Sequence, residues 1–144
     1  MNVMPCRQRI RATDSKVPII LVVEDEIDNL LLLSHTLIYL QLSFVTATKS
    51  KTAFELATKY EVDLVLLDLV LPDSNGFELA NSLRHNELTQ DLPIIAISAL
   101  VQDKDRDRAF EFGCNDYLSK PYLIEDLKRK ISKYIDVRPK PNFS

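Results

Sequence analysis

The sequence predicts an α/β domain: a five-stranded parallel sheet with helices on both faces. Three observations carry that prediction. Five short apolar runs, at 17–23, 43–48, 62–68, 93–98 and 116–120, alternate with five amphipathic segments. The connections between them are short, as expected where each helix folds back onto the sheet between two parallel strands. The first run, VPIILVV, is continuously apolar and rich in β-branched residues, which suits a strand covered on both faces.

Each element has its own justification. Segment 28–40 carries Leu30, Leu31, Leu33, Leu37, Ile38 and Leu40, an apolar stripe of helical period. SFVTAT (43–48) is a second, weaker strand. A helix over 50–59 comes next, with Ser50 as its N-cap and with Phe54 and Leu56 to bury. VDLVLLD (62–68) is a third strand that ends in a bare carboxylate, Asp68. Past a Pro-Asp-x-x-Gly turn, residues 76–84 form a short helix. PIIAIS (93–98) is the fourth strand. A charged helix spans 103–112, and Gly113 terminates it in a left-handed conformation. DYLSK (116–120) is the fifth strand. The last helix, 123–135, sets Leu123, Leu127, Ile131, Tyr134 and Ile135 on one side.

Length and composition bound the function. The 144 residues suffice for one domain with a hydrophobic core. Residues 1–17 read as a basic, solvated N-terminal arm, 18–136 as the domain and 137–144 as a tail. The body, 18–136, holds 12 basic and 20 acidic residues. So acidic a surface disfavours duplex DNA as a direct partner and leaves room for a cation. Cys6 and Cys114 are too few and too far apart for a disulfide framework or a zinc site. With only Gly76 and Gly113 present, a P-loop and a Gly-rich dinucleotide fingerprint are both ruled out. Neither a signal-peptide core nor a transmembrane run occurs, so the chain reads as cytoplasmic with no membrane partner. The segment after Tyr134 is too short for a helix-turn-helix output unit.

In such sheets ligands bind outside the carboxyl ends of the strands. Those ends are chemically distinctive here. The first strand runs into Glu24-Asp25-Glu26, the third ends at Asp68, the fourth at Ser98 and the fifth at Lys120-Pro121. Clustered carboxylates repel one another unless a cation neutralises them, and Mg²⁺ bound by a few carboxylates and several waters suits that need. A carboxylate can also attack phosphorus to give an acyl phosphate, with catalysis supplied by positioning and charge stabilisation. Taken singly, each residue has a plainer reading. Glu24 and Asp25 serve as helix-start acids, Asp68 and Ser98 as turn residues, Lys120 as a solvated charge and Tyr117 as core. Occurring together, Asp25, Asp68, Ser98 and Lys120 point to chemistry. His35, in a helix stripe, and His85, in a polar loop, read as structural or exposed, and Cys114 as a buried, inert thiol.

ILVVEDE, LVLLDLVLPDSNGFEL, PIIAISA and DYLSKPY resemble, in order and in spacing, the signature blocks of the response-regulator receiver domain of two-component signalling. The intervals from Asp25 to Asp68, to Ser98 and to Lys120 are 43, 30 and 22 residues. The resemblance covers 18 to about 135 and implies a CheY-like, flavodoxin-like (βα)5 three-layer sandwich. It implies Asp68 as phospho-acceptor, Glu24 and Asp25 as the acidic pair placing Mg²⁺ (or Mn²⁺), and the Val70 backbone carbonyl as a third protein ligand. Ser98 matches the switch hydroxyl and Ala99 the small residue beside it. Lys120 matches the family lysine, with Pro121 after a cis peptide, and Tyr117 matches the switch aromatic.

The implied function is to take a phosphoryl group from a histidine kinase or histidine phosphotransfer protein. The chain would then signal through the face of the fourth helix, fifth strand and fifth helix, with no turnover of an external substrate. A phosphorylation-dependent homodimer is compatible with that face. Alternatives are a phosphorelay intermediate, a receiver belonging to a larger regulator or hybrid kinase, an Asp-nucleophile phosphatase, and a receiver that binds partners without phosphorylation. The phosphatase reading is weakened by Val70, where that class carries a second aspartate. Val70 and Leu100 offer no polar side chain to orient an attacking water, which implies slow loss of the phosphoryl group. Phe112 stands where the family often has a smaller residue, and reads either as partner surface or as local core.

Overall fold

A computed structural model of the chain describes residues 17–71, 75–100 and 102–137. Apart from Val17, the arm at 1–17 lies outside the described residues, as do the Pro72 turn and the tail beyond Val137. The elements are β1 (Ile19–Val23), α1 (Ile27–Tyr39), β2 (Ser43–Ala47), α2 (Ser50–Lys59), β3 (Leu64–Asp68), α3 (Gly76–Arg84), β4 (Ile94–Ser98), α4 (Asp103–Glu111), β5 (Asp116–Ser119) and α5 (Ile124–Ser132). The strands form one parallel sheet in the order β2-β1-β3-β4-β5. This is the three-layer α/β sandwich that the sequence predicts.

Strand periodicity divides the core in two. Leu21, Val23, Val65 and Leu67 point to one face, where they meet Ala53 of α2, Phe77 and Leu83 of α3 and Ala109 of α4. Ile20, Val22, Leu64 and Leu66 point to the other, against Leu33 and Leu37 of α1 and Leu127 and Ile131 of α5. Both faces of the central strands are dry, which is why their sequences are continuously apolar rather than alternating. Truncating one of these fully buried leucines to alanine costs about 2–5 kcal/mol.

Three helices depart from expectation, two at a boundary and one in the face it buries. Ser50 is the first helical residue of α2, not its cap; Lys49 holds the cap position with no side-chain capping bond. Leu123 is the cap of α5 and is 70% exposed, and that helix stops at Ser132. In α1 the buried side chains are Leu33, Thr36 and Leu37, whereas Leu31 and Ile38 face outward. α1 ends in a Schellman motif. The Leu42 N–H donates to the Leu37 carbonyl at 2.9 Å and the Gln41 N–H to that of Ile38 at 2.9 Å. Gln41 takes the left-handed position (φ 62°) that glycine usually fills. Gly113 does the same after α4, at φ 110°, as expected.

Candidate functional site

The sheet brings its strand ends to one edge. Val23, the last residue of β1, pairs with Leu67 of β3, Asp68 with Ile97 of β4, and Ser98 with Ser119 of β5. Glu24, Asp25, Asp68, Ser98 and Lys120 therefore converge from four consecutive strands. One carboxylate oxygen from each of Glu24, Asp25 and Asp68 lies within 4.8 Å of the other two. The Lys120 Nζ sits 2.8 Å from Glu24 Oε1 and 3.5 Å from Asp68 Oδ2. Three carboxylates face one ammonium, so the cluster carries surplus negative charge built from hard oxygen donors. That donor set fits a small divalent cation.

The acidic triplet after β1 divides its labour. Glu26 caps α1, accepting the Asp28 and Asn29 N–H groups at 2.9 and 3.2 Å. The helix-start role open to Glu24 and Asp25 thus falls to their neighbour. Glu24 is buried, only 3% exposed, and Asp25 is exposed. Burial pushes the Glu24 carboxyl up to about 6; Asp68 adds to the rise and the Lys120 hydrogen bond opposes it. For Lys120 burial would lower the pKa, but Glu24 and then Asp68 outweigh it, and the ammonium is held above its ordinary value.

Local backbone fixes Asp68. Its Oδ1 accepts the Val70 N–H at 3.0 Å, and Val70 forms an isolated bridge with Asn75. Val70 is 59% exposed. Asn75 caps α3 through the Glu78 N–H at 2.9 Å. Gly76 then returns against the strand end: its N–H donates to the Leu69 carbonyl at 2.7 Å, and a Cβ there would lie 2.7 Å from both the Asp68 carbonyl oxygen and the Leu69 Cα. Only glycine fits this approach.

Ser98 is fully buried, and its Oγ accepts the Leu100 N–H at 3.1 Å. The Leu100 carbonyl accepts the hydroxyl of Tyr117. Leu100 is therefore held on both sides, by the two residues expected to form the switch. Tyr117 is turned inward, 8% exposed and packed in the core. The Lys120–Pro121 bond is cis. Ala99 and Pro121 help line a cavity of about 460 Å³ that opens beside Asp68 and Lys120.

Asn29, Leu32, Thr36 and Tyr122 line the same cavity and were not read from the sequence. Asn29 had a signal, since it falls one helical turn after Asp25. The placements expected for His35, His85 and Cys114 are met. His35 is exposed on α1, and His85 closes α3 with its Nδ1 2.8 Å from the Asn81 carbonyl. Cys114 is buried, and burial pushes its thiol up to about 12. Phe112 packs against the core beside Phe77, with ring centroids 5.7 Å apart.

Fold and pocket together define an α/β receiver-type domain, with an acidic cluster at the carboxyl edge of its sheet. The family described as "Response regulator receiver domain" matches residues 8–132, and the chain belongs to that family. The match reaches back into the segment read as an arm. A probable cyclic di-GMP phosphodiesterase of Vibrio cholerae is 36% identical over 117 residues, which are 81% of this chain and 26% of that protein. The phosphate regulon transcriptional regulatory protein PhoB of Pseudomonas aeruginosa is 31% identical over 78% of this chain and 49% of its own length. The chain thus spans about a quarter to a half of these curated relatives. Among solved structures, the receiver domain of sensor histidine kinase PA1611 from Pseudomonas aeruginosa is 29% identical. It superposes with a TM-score of 0.76 over 81% of this chain and 96% of that one, and it holds a magnesium ion in its active-site cleft. Among the described residues no helix is long and apolar enough to cross a membrane.

Proposed function

We propose that this receiver domain accepts a phosphoryl group on Asp68 from a phosphohistidine of a histidine kinase or phosphotransfer protein. The observation that carries the reading is the meeting of Glu24, Asp25 and Asp68 within 4.8 Å, with Lys120 on the same oxygens. An Asp68 carboxylate oxygen attacks phosphorus; the P–N bond breaks, and its electron pair leaves with the donor imidazole. Glu24, Asp25, Asp68 and the Val70 carbonyl would hold Mg²⁺, which supplies charge neutralisation for the anionic transferring group. Lys120 swings from Glu24 toward the new phosphoryl oxygens. Ser98 donates its hydroxyl to them and gives up the Leu100 N–H, so the bracket it shares with Tyr117 opens on one side. The face of α4, β5 and α5 is the surface that reports this to a downstream protein. The domain acts in the cytoplasm and turns over no external substrate.

The experiment is incubation with Mg²⁺ and acetyl phosphate, followed by intact-mass measurement. One phosphoryl addition is expected, absent in Asp68→Asn. No addition, or addition that persists in Asp68→Asn, overturns the reading. Because Val70 and Leu100 place only hydrocarbon where a water would have to be oriented, the adduct persists for minutes rather than seconds once donor is removed.

A second reading is favoured by one observation: relatives as similar as these are two to four times longer than their matched part. On that reading the domain is the receiver module of a larger regulator or hybrid kinase, and its phosphorylation controls a linked module. Phosphorylating the domain joined to such a module and assaying the module's activity distinguishes the two.

A further inference from the structure

Of the five helices, α4 buries the fewest side chains. Its sequence, DKDRDRAFE, buries a single side chain, Ala109. Phe110 is 44% exposed and packs nothing into the core. One buried methyl cannot fix both the position and the rotation of a helix, so other contacts must do so. At its end the α3 residue Arg84 donates to the Gly113 carbonyl at 2.9 Å, and along its length Arg108 supplies the second tie. Its guanidinium carbon lies 4.3 Å from the centroid of the Phe77 ring and 5.4 Å from that of Phe112. The two rings meet at 5.7 Å with an interplanar angle of 59°. Phe77 is the second residue of α3 and only 3% exposed. Phe112 caps the far end of α4. The cation therefore joins α3 to α4 across two aromatic faces, a favourable geometry because the ring quadrupole attracts it.

Phe77 is not an arbitrary anchor. It follows Gly76, whose backbone touches Asp68 and Leu69 with no room for a single carbon between them, and whose N–H bonds the Leu69 carbonyl. A shift of the Asp68–Leu69 backbone has no slack to absorb it before it reaches Phe77. On the α4 side, Phe77 meets Arg108 and Phe112.

We propose that Phe77, Arg108 and Phe112 form a clamp that fixes α4 on α3, and that this clamp passes displacements of the Asp68 loop to α4. The route is separate from the one through Ser98, Leu100 and Tyr117. Its coupling role rests on Asp68 being the phosphoryl acceptor; its anchoring role does not. The clamp also resolves the alternative at Phe112, which is a local packing residue whose ring receives a cation.

Hydrogen exchange followed by mass spectrometry tests both roles, on the full chain. Without ligand, R108Q is expected to speed exchange of the α4 amides by roughly two- to fivefold, the factor that a cation–π contact at an exposed site supplies. The control R106Q removes the same charge from the same helix and leaves α4 exchange as it was. R108K, which keeps the charge but not the planar stack, falls between. Unchanged α4 exchange in R108Q, or equal acceleration in R106Q, overturns the clamp. With Mg²⁺ and beryllofluoride added, the wild-type α4 response shrinks in R108Q while Tyr117→Phe keeps part of it. A full response in R108Q overturns the coupling and leaves the anchoring result intact. Failure of the Asp68 reading looks different: wild-type protein neither gains mass from acetyl phosphate nor responds to beryllofluoride. The coupling then falls with it, and the ligand-free comparison still decides the clamp.

Discussion

β5 carries an ion cluster at each end, and the two are built on opposite balances. At its start Asp116, 8% exposed, receives Lys130 at 2.8 Å, Lys133 at 3.1 Å and the Tyr117 N–H at 2.9 Å. Burial would raise its pKa, but the Lys130 bond, the Tyr117 N–H and Lys133 overcome that and hold it below the ordinary carboxylate value. Just past its end Lys120 is, among the described residues, the one cation against Glu24, Asp25 and Asp68. The first cluster has more positive charge than it needs and is finished as it stands. The second is short of positive charge; burial first, and then the neighbouring Asp68, push the Glu24 carboxyl up to about 6. Compensated charge at one end holds structure; uncompensated charge at the other leaves a set of oxygen donors that fits a cation.

Substitutions can break that contrast. The largest effect is expected for Lys120→Ala, which removes the ammonium that faces Asp68. Phosphoryl addition from acetyl phosphate should slow by about 100-fold or more, the scale of losing one electrostatic stabiliser. Lys130→Ala, at the other cluster, should leave that rate unchanged, and rates from intact-mass time courses compare the two. Next comes cation linkage. At about 100 times its Kd, Mg²⁺ should stabilise wild-type protein by roughly 2.7 kcal/mol. Thermal melts should show this rise lost in Asp25→Asn and kept in Asp116→Asn.

Asp116→Asn itself should cost about 2 kcal/mol in urea unfolding at neutral pH, since it strips a buried acceptor from charged donors. The sign of its pH dependence comes from the lowered pKa. The native state holds the proton less tightly than the unfolded chain, whose carboxylate titrates near 3.8. Its stabilisation is therefore complete above that value and is lost as pH falls below it. Urea midpoints between pH 3 and 5 should fall more steeply for wild type than for Asp116→Asn. Lys133→Ala is the smallest of these effects. The lysine side chain is 54% exposed, so its loss should cost about 0.5 kcal/mol and vanish at high salt.

The same contrast explains what the sequence discloses. Glu24, Asp68 and Ser98 each come directly after an apolar run and Lys120 directly after the fifth strand, so the parallel fold alone brings them to one edge. The partners of Asp116 are legible in no such way. Lys130 and Lys133 lie on α5 or at its end, 14 and 17 residues on, and reach Asp116 only through the packing of that helix. Leu32, Thr36 and Tyr122 escaped for the same reason, since the cavity they line exists only once α1 packs beside the β5–α5 connection. The outward turn of Leu31 and Ile38 has another cause. α1 has apolar residues on every side, with Ile27, Leu31, Leu32, Ile38 and Tyr39 exposed. Periodicity assigns a face only where polar residues mark the opposite one. At Ser50 a good capping residue stood one position inside the helix, a shift that composition alone cannot register.

The left-handed residue after α1 offers a reserve for work on this domain. Gln41 occupies a conformation that costs an L-residue about 1–2 kcal/mol, part of which glycine returns as a floppier unfolded chain. Gln41→Gly should therefore raise stability by about 0.5 kcal/mol in urea unfolding. It lies at the end of the sheet opposite the acidic pocket, so it can serve as a neutral background. In that background, variants that weaken the fold remain populated enough to be assayed for what they do to the chemistry.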